Sequence, residues 1–307
     1  MEEYFNNKSI FLVIRKWKIH VISITIIVAI ISLMASYLIT PLYKSTAVLY
    51  PVNIGTFSDE NKTEQMLQVL QSNDIMFKLI EKLNLDKHYK INKDDKLYKT
   101  YMFAKLDTRI SFNKTEYESV KISVLDQSPD TAVKIINNII AFYNKKVQIL
   151  HRNKYKELVD IKYGEIKAKQ IEVDSLEKRI KFLRTEYGIL DYNSQVKELT
   201  KIYYKSGSES VKKALDNLKL YGGEYKTIDR KITKEQKVLA KIKRKYEKAN
   251  TEYHKEITFA HIVESPFAAD KETKPIRWLI VLLSVIGSFI LSIIVITIIE
   301  NNKTLNK

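Results

Sequence analysis

The sequence predicts a membrane-anchored α+β protein, in which two transmembrane helices bracket an extracytoplasmic domain with a small mixed α/β base and a long α-helical coiled-coil hairpin. Three observations predict it. Apolar runs at 19–39 and 278–299 lie near the two ends of the chain. Short alternating segments cluster on either side of the middle, and the middle itself repeats apolar residues at a spacing of three and four.

The first run, "IHVISITIIVAIISLMASYLI", has only His20 as a titratable group and follows the basic, aromatic flank Arg15, Lys16, Trp17 and Lys18. About twenty apolar residues at ~1.5 Å rise cross a hydrocarbon core of ~30 Å. The second run meets the same condition, with Trp278 at the level where amphipathic rings settle. A cleaved signal peptide does not fit the first run, whose apolar part is too long and whose exit, "MASYLITPLYK", is a poor small-x-small cleavage site. Basic residues precede the first span and only Lys44 follows closely, which predicts a cytoplasmic N-terminus and, after two crossings, a cytoplasmic C-terminus. Lys271, Lys274 and Arg277 before the second span, against Lys303 and Lys307 after it, favour the opposite orientation for that span alone. The first span is expected to dominate. The chain then divides into a tail (1–18), a span (19–39), an α/β base (40–128), a long helical hairpin (129–255), a return strand with a proline-bearing linker (256–277), a second span (278–299) and a tail (300–307).

The base is expected to open on a strand at 43–50, rich in β-branched and aromatic residues and ended by Pro51. Met66, Val69 and Leu70, then Ile75, Leu79, Ile80 and Leu83, predict two short amphipathic helices capped by Ser58 and Asn73. A further helix is expected at 95–106, followed by a hairpin-like pair of strands at 108–112 and 119–125 with Val120, Ile122 and Val124 on one face. Ser128 and Pro129 then cap and open a long helix.

Within that helix Val173, Leu176, Ile180, Leu183, Tyr187 and Leu190 follow a 3-4-3-4-3 spacing. After "YKSGSES" the spacing returns through Val211, Leu215, Leu218, Tyr225, Ile228, Ile232, Leu239, Ile242, Tyr246, Ala249 and Tyr253. A 3.5-residue period predicts a coiled-coil seam, which Gly222 and Glu235 occupy badly. The Gly/Ser linker favours a hairpin within one chain over a seam between two chains, with a return arm about 70 Å long. Gly188 is expected to break the outgoing arm, and 256–265 to return as a strand to the base.

Composition excludes several functions. The net charge is +16, and with seven basic and three acidic residues in 1–40 and 277–307, the outer segment carries 45 basic and 33 acidic residues, a net of +12. A basic excess raises nucleic acid as a partner, but this one faces away from the cytoplasm and is spread as Lys/Glu mixtures along helices, the pattern of a solvated face. Cysteine is absent, the five histidines form no i,i+4 pair, and no glycine-rich phosphate loop or GxSxG occurs. Neither enzyme activity, a cofactor nor a metal site is expected. The nineteen tyrosines include seam positions 187, 225, 246 and 253, which packing accounts for.

The strand "PLYKSTAVLYP" after the first span, "SPDTAVKIINNIIAFYN" at the opening of the long helix, and the proline-bearing run into the last span resemble the bacterial polysaccharide co-polymerases. Among these the chain looks most like the Wzz-type chain-length determinants of lipopolysaccharide O-antigen, through Pro41, Tyr43, Ala47, Pro129, Ala132, Pro266 and Pro275. The resemblance implies a homo-oligomeric ring of protomers in the bacterial inner membrane with a periplasmic domain. Such a ring works with a Wzy-type polymerase and sets how far a lipid-linked glycan is extended. An adaptor for capsule or exopolysaccharide export, with an ABC transporter, shares the two-span layout and is the alternative. A sensor or scaffold is disfavoured by the short cytoplasmic tails.

Overall fold

The computed structural model describes residues 7–55 and 61–305, and the chain forms two compact units, one of 1–145 with 258–307 and one of 146–257.

The first unit holds both spans and the base. Helix α1 (Asn7–Leu38), kinked at Trp17, runs into strand β1 (Tyr43–Pro51). Helices α2 (Lys62–Leu70), α3 (Asn73–Leu83), α4 (Leu85–His88) and α5 (Tyr98–Arg109) precede the antiparallel pair β2 (Ile110–Lys114) and β3 (Val120–Asp126). The first turns of α6 (Pro129–Tyr187) also belong here, as do β4 (Ala260–Glu264) and the second apolar helix α9 (Arg277–Leu305). The two terminal helices are long and apolar enough to cross a membrane over Arg15–Leu38 and Arg277–Glu300.

One antiparallel sheet, in the order β2-β3-β1-β4, organises the base. Alternation builds its inner face: Ala47 and Leu49 of β1 and Val120, Ile122 and Val124 of β3 are fully buried. Met66, Leu70, Ile75, Leu79, Met102 and Leu106 from the short helices are buried too, as the apolar periodicity requires. Ala132, Ile135, Ile136, Ile139 and Tyr143 give α6 a fully buried stripe at helical spacing. Ser128 caps that helix through its hydroxyl, which accepts from the Thr131 amide at 3.3 Å, and Pro129 is its first residue.

Several boundaries differ from expectation, each for a local reason. The helix expected at 95–106 begins at Tyr98, because Asn92 and Asp95 accept from the amides of Asp94 (3.1 Å) and Leu97 (2.8 Å) and hold this polar stretch in turns. Since α5 runs on to Arg109, the strand expected at 108–112 starts at Ile110. The return strand shortens from 256–265 to Ala260–Glu264: Ala260 pairs with Pro51, the Val52 amide donates once more to the Phe259 carbonyl at 3.2 Å, and Asn53, at a left-handed φ of 58°, then turns the chain out of the sheet. Asn73 is the first residue of α3 rather than its cap. Ser72 stands before it with its hydroxyl turned back to the Val69 carbonyl (2.6 Å). Ser58 lies outside the described residues. The cap of α2 is Asn61, which forms a reciprocal capping box with Glu64.

The second unit contains the remainder of α6, α7 (Tyr192–Ser206) and α8 (Glu209–His254). The outgoing helix stops at Tyr187. Gly188 takes a left-handed φ of 70°, and the Ile189 amide turns back to the Leu183 carbonyl as the buried Ile189 side chain seals the helix end. Leu190, counted on the seam, is therefore 68% exposed. Gly207, with φ 64°, caps α7, and only Gly207 and Ser208 separate it from α8.

The seam closes within one chain. Arg179 pairs with Glu224 at 2.6 and 2.9 Å, Lys169 with Glu235 at 2.9 Å, and His151 lies 3.6 Å from Glu252, so α6 and α8 run antiparallel in one register. Ile180, Leu183, Ile189, Leu218, Tyr225 and Ile228 form its core, with Leu176, Tyr187, Tyr192 and Ile232 packed against them. Tyr187 stacks on Tyr221 with centroids 3.8 Å apart. The two ill-fitting seam positions have specific partners. A Cβ at Gly222 would lie 2.2 Å from ring carbons of Tyr192, so glycine lets that ring lie against α8. Glu235, buried at 9% exposure, receives the ammonium of Lys169, which also binds Glu172 at 2.7 Å.

Candidate functional site

The junction between the two apolar helices and the sheet gathers the residues singled out by the sequence. Pro41 is half-buried at the exit of α1, and Leu42 forms an isolated antiparallel bridge with Lys274, its amide donating to the Lys274 carbonyl at 2.8 Å. This places the stretch before Pro275 beside the one after Pro41. Ser45, buried in β1, donates to the carbonyl of Phe267 at 2.9 Å and so holds the segment that follows Pro266. Tyr43 opens β1 opposite Asp126, and Ala47 is fully buried opposite Ile122. Pro129 opens α6 just beyond β3, and the fully buried Ala132 lies one turn in.

Arg277 ties the same junction to α1. Its guanidinium binds Glu272 in two-pronged fashion (2.7 and 2.8 Å), donates to the Ser36 carbonyl at 3.1 Å and lies 4.3 Å from the Tyr37 ring centroid. The hydrogen bond from Arg277 holds the Glu272 carboxyl below its usual range. At the opposite end of the helix pair, Glu300 of α9 pairs with Lys16 and accepts from the Trp17 indole at 3.1 Å. Both ends of the pair are thus clamped by charge-assisted contacts, while Ser32, Ser36 and Ser292 are buried along it with their hydroxyls bound to their own helix carbonyls.

A buried polar cluster in the base escaped the sequence reading. Asp126 is fully buried at the end of β3, with His88 Nε2 at 2.9 and 3.0 Å from its two oxygens. The Tyr89 hydroxyl (2.9 Å) and the Ser128 amide (3.0 Å) donate to it. Burial and the Asp126 charge push the Tyr89 phenol above its ordinary value. Nearby Asp86, almost fully buried, would be raised by burial, but Lys93 at 3.2 Å and the Lys87 amide bring its carboxyl below its ordinary value. The one signal for Asp126 in the sequence is its place two residues before the helix cap, where an Asx-type bond to the cap amide forms.

Of the seam residues, Val173, Ile180, Leu183, Leu218, Ile228 and Leu239 are buried, whereas Leu176, Leu215, Ile232 and Ile242 are half-buried. His151, buried on α6, gives this seam a pH response. Burial pushes its imidazole below the ordinary value, with Glu252 opposing the shift and Lys255 and Lys154 adding to it. A group whose folded-state pKa is lowered binds its proton more weakly folded than unfolded. Its stabilising contribution is complete above about pH 6.5 and is lost as the pH falls through its lowered folded-state value. The thermal midpoint of the full chain is expected to fall as the pH drops from about 7 to 5, and His151→Gln should flatten that part of the profile. Equal slopes in the two proteins would show that this imidazole carries none of it.

No group of metal-ligating side chains occurs among the described residues. The polar contacts at the junction and in the base join chain segments to one another.

Residues 6–83 match the family model described as "Chain length determinant protein", Wzz. The structure is similar to one described as a full-length bacterial polysaccharide co-polymerase, with a TM-score of 0.50 and 10% identity, covering 96% of this chain and 97% of that one. The chain resembles the Wzz-type polysaccharide co-polymerases. Other similar structures include the lipopolysaccharide O-antigen chain-length regulator WzzBSF of Shigella flexneri, with a TM-score of 0.32 and 13% identity over 75% of this chain and 99% of that one. A fragment of WzzB from Salmonella Typhimurium has a TM-score of 0.33 and 11% identity over 76% of this chain and 100% of that one. No curated protein matched. The Wzz match covers the first span, β1 and the helices α2 and α3, and so includes Pro41, Tyr43 and Ala47. The co-polymerase fold extends over nearly the whole chain, with apolar helices at both ends, a small sheet and a long helical hairpin.

Proposed function

We propose that the protein is a non-enzymatic regulator of polysaccharide chain length, of the lipopolysaccharide O-antigen type, acting as a homo-oligomeric inner-membrane co-polymerase with a Wzy-type polymerase. The observation that carries this reading is the Wzz match over the first span and the start of the base, within a fold that returns the chain to a second apolar helix. In this reading the spans 19–39 and 278–299 cross the inner membrane with both termini in the cytoplasm, as Arg15, Lys16 and Lys18 favour. The base (40–128 with 256–277) and the hairpin (129–255) then occupy the periplasm. A base anchored by two spans meets its neighbours side by side, which suits a ring of protomers. The clamps at Arg277 and Glu300 support it by holding the two spans as one unit. The ring would govern how long the polymerase extends a lipid-linked glycan before release.

The test is a gel of surface polysaccharide from a deletion strain, beside the same strain with the gene restored. A cluster of long bands that collapses to a random, short-weighted ladder and returns on complementation is the expected result. Complete loss of surface polymer, with material accumulating inside the cell, would replace this reading with the export adaptor, and an unchanged pattern would refute both.

A further inference from the structure

The break between α6 and α7 leaves a cleft of about 320 Å³ in the second unit, lined by Arg184, Asp191, Tyr192, Asn193, Lys226 and Asp229 together with Leu190 and Tyr225. The volume suits one small ligand unit. We propose that this cleft is a saccharide subsite that takes one pyranose ring of an uncharged or zwitterionic glycan.

Three features point to a sugar. The first is a pre-positioned aromatic ring. Tyr192 packs against the seam core, and the missing Cβ of Gly222 lets its ring lie against α8, so the ring enters the cleft wall held in place. The C–H face of a pyranose stacks on such a ring. Lys226 approaches it only at 5.9 Å from the centroid, at the end of a flexible stem.

The second feature is free hydrogen-bonding capacity. The exposed Asp229 carboxylate and Asn193 amide make no side-chain hydrogen bond or ion pair among the described residues. Asp191 accepts from the Ser194 amide at 3.0 Å through Oδ1, and that bond holds its carboxyl below the usual range, so it stays an ionised acceptor. Arg184 commits one nitrogen to the Tyr225 hydroxyl at 3.3 Å, and that hydroxyl in turn donates to the Leu190 carbonyl at 2.6 Å. Carboxylates and an amide lining the same cleft as an aromatic ring match vicinal hydroxyls, which both donate and accept.

The third feature is charge. Two carboxylates, Asp191 and Asp229, share the lining with two cations, Arg184 and Lys226, so the cleft carries no net positive charge to favour phosphate or another strong anion. The polar wall offers no apolar pocket for a hydrophobic side chain, and the helical surroundings present no strand edge for an extended peptide.

The source of the glycan, though not the chemistry of the cleft, rests on the chain-length reading. The test uses the full chain in lipid nanodiscs and oligosaccharides of one to three repeat units released from the surface polymer of the producing strain. Binding is followed by saturation-transfer NMR and titration for the wild type and the Asp229→Asn/Asn193→Ala variant, whose substituted side chains are exposed and outside the seam core. Wild-type binding that weakens tenfold or more in the variant, with an unchanged thermal midpoint, supports the subsite. No wild-type binding, or equal binding by both proteins, overturns it. If the wild type fails to bind while the deletion strain loses length control, the subsite falls and the regulatory reading stands. If binding is variant-sensitive while the deletion strain keeps its length pattern, the subsite stands and the regulatory reading falls.

Discussion

Replacing Asp126 with alanine is expected to destabilise the base by about 3–5 kcal/mol, the range for removing one partner from a buried charge-bearing network. The carboxylate is fully buried and serves His88, Tyr89 and the Ser128 amide at once. Truncation leaves each of them with an empty place where an acceptor stood, and burial denies them water. It also frees the turn that carries β3 into α6, because the Ser128 amide loses its bond just where Pro129 starts the helix. Asp126→Asn keeps the size and one acceptor oxygen and should cost less. The measurement is the thermal midpoint of the full chain in detergent. For a unit of this size each kcal/mol moves the midpoint by roughly 2–4 °C, and a midpoint for Asp126→Ala indistinguishable from that of the wild type would show that the network adds nothing to stability.

Leu218→Asp is expected to have a comparable effect on the second unit, about 4 kcal/mol or more, from the lost packing and a buried unpaired charge. Leu218 is 3% exposed in the core formed with Ile180, Leu183 and Ile228. Ile242 belongs to the same 3.5-residue pattern but is only half-buried, so Ile242→Asp should cost a fraction as much. If the protein sets chain length, Leu218→Asp should change the length distribution of surface polymer while synthesis continues, and Ile242→Asp should change it less. Equal midpoint shifts for the two variants would contradict the packing described here, and loss of all polymer in either would count against a regulatory role.

The candidate site was legible in part. Pro41, Tyr43 and Pro275 stood out by their distance from the apolar runs, but their meeting through Leu42 and Lys274 depends on two segments far apart in the chain. The clamp of Arg277 on Glu272, Ser36 and Tyr37 is equally long-range, and in the sequence Arg277 read only as a charge bearing on orientation. Misplaced boundaries had local causes of another kind. Side-chain acceptors at Asn92 and Asp95 delayed the start of a helix, and the left-handed turn at Asn53 ended the pairing that a β-rich return segment could have extended.

The sequence by itself determined the two apolar spans, the alternation of β1 and β3, the cap at Ser128 and the helix breaks at Gly188 and Gly207. Each rests on the period of the backbone or the conformational range of one residue, and both are readable within a few positions. Only the tertiary structure decided that Asp126 is a buried hub, that Gly222 makes room for Tyr192, and that Glu235 is tolerated on the seam because Lys169 reaches it. Taken residue by residue these positions break the pattern. Each is satisfied by a group from another element, and which element lies there is settled only when the chain has packed.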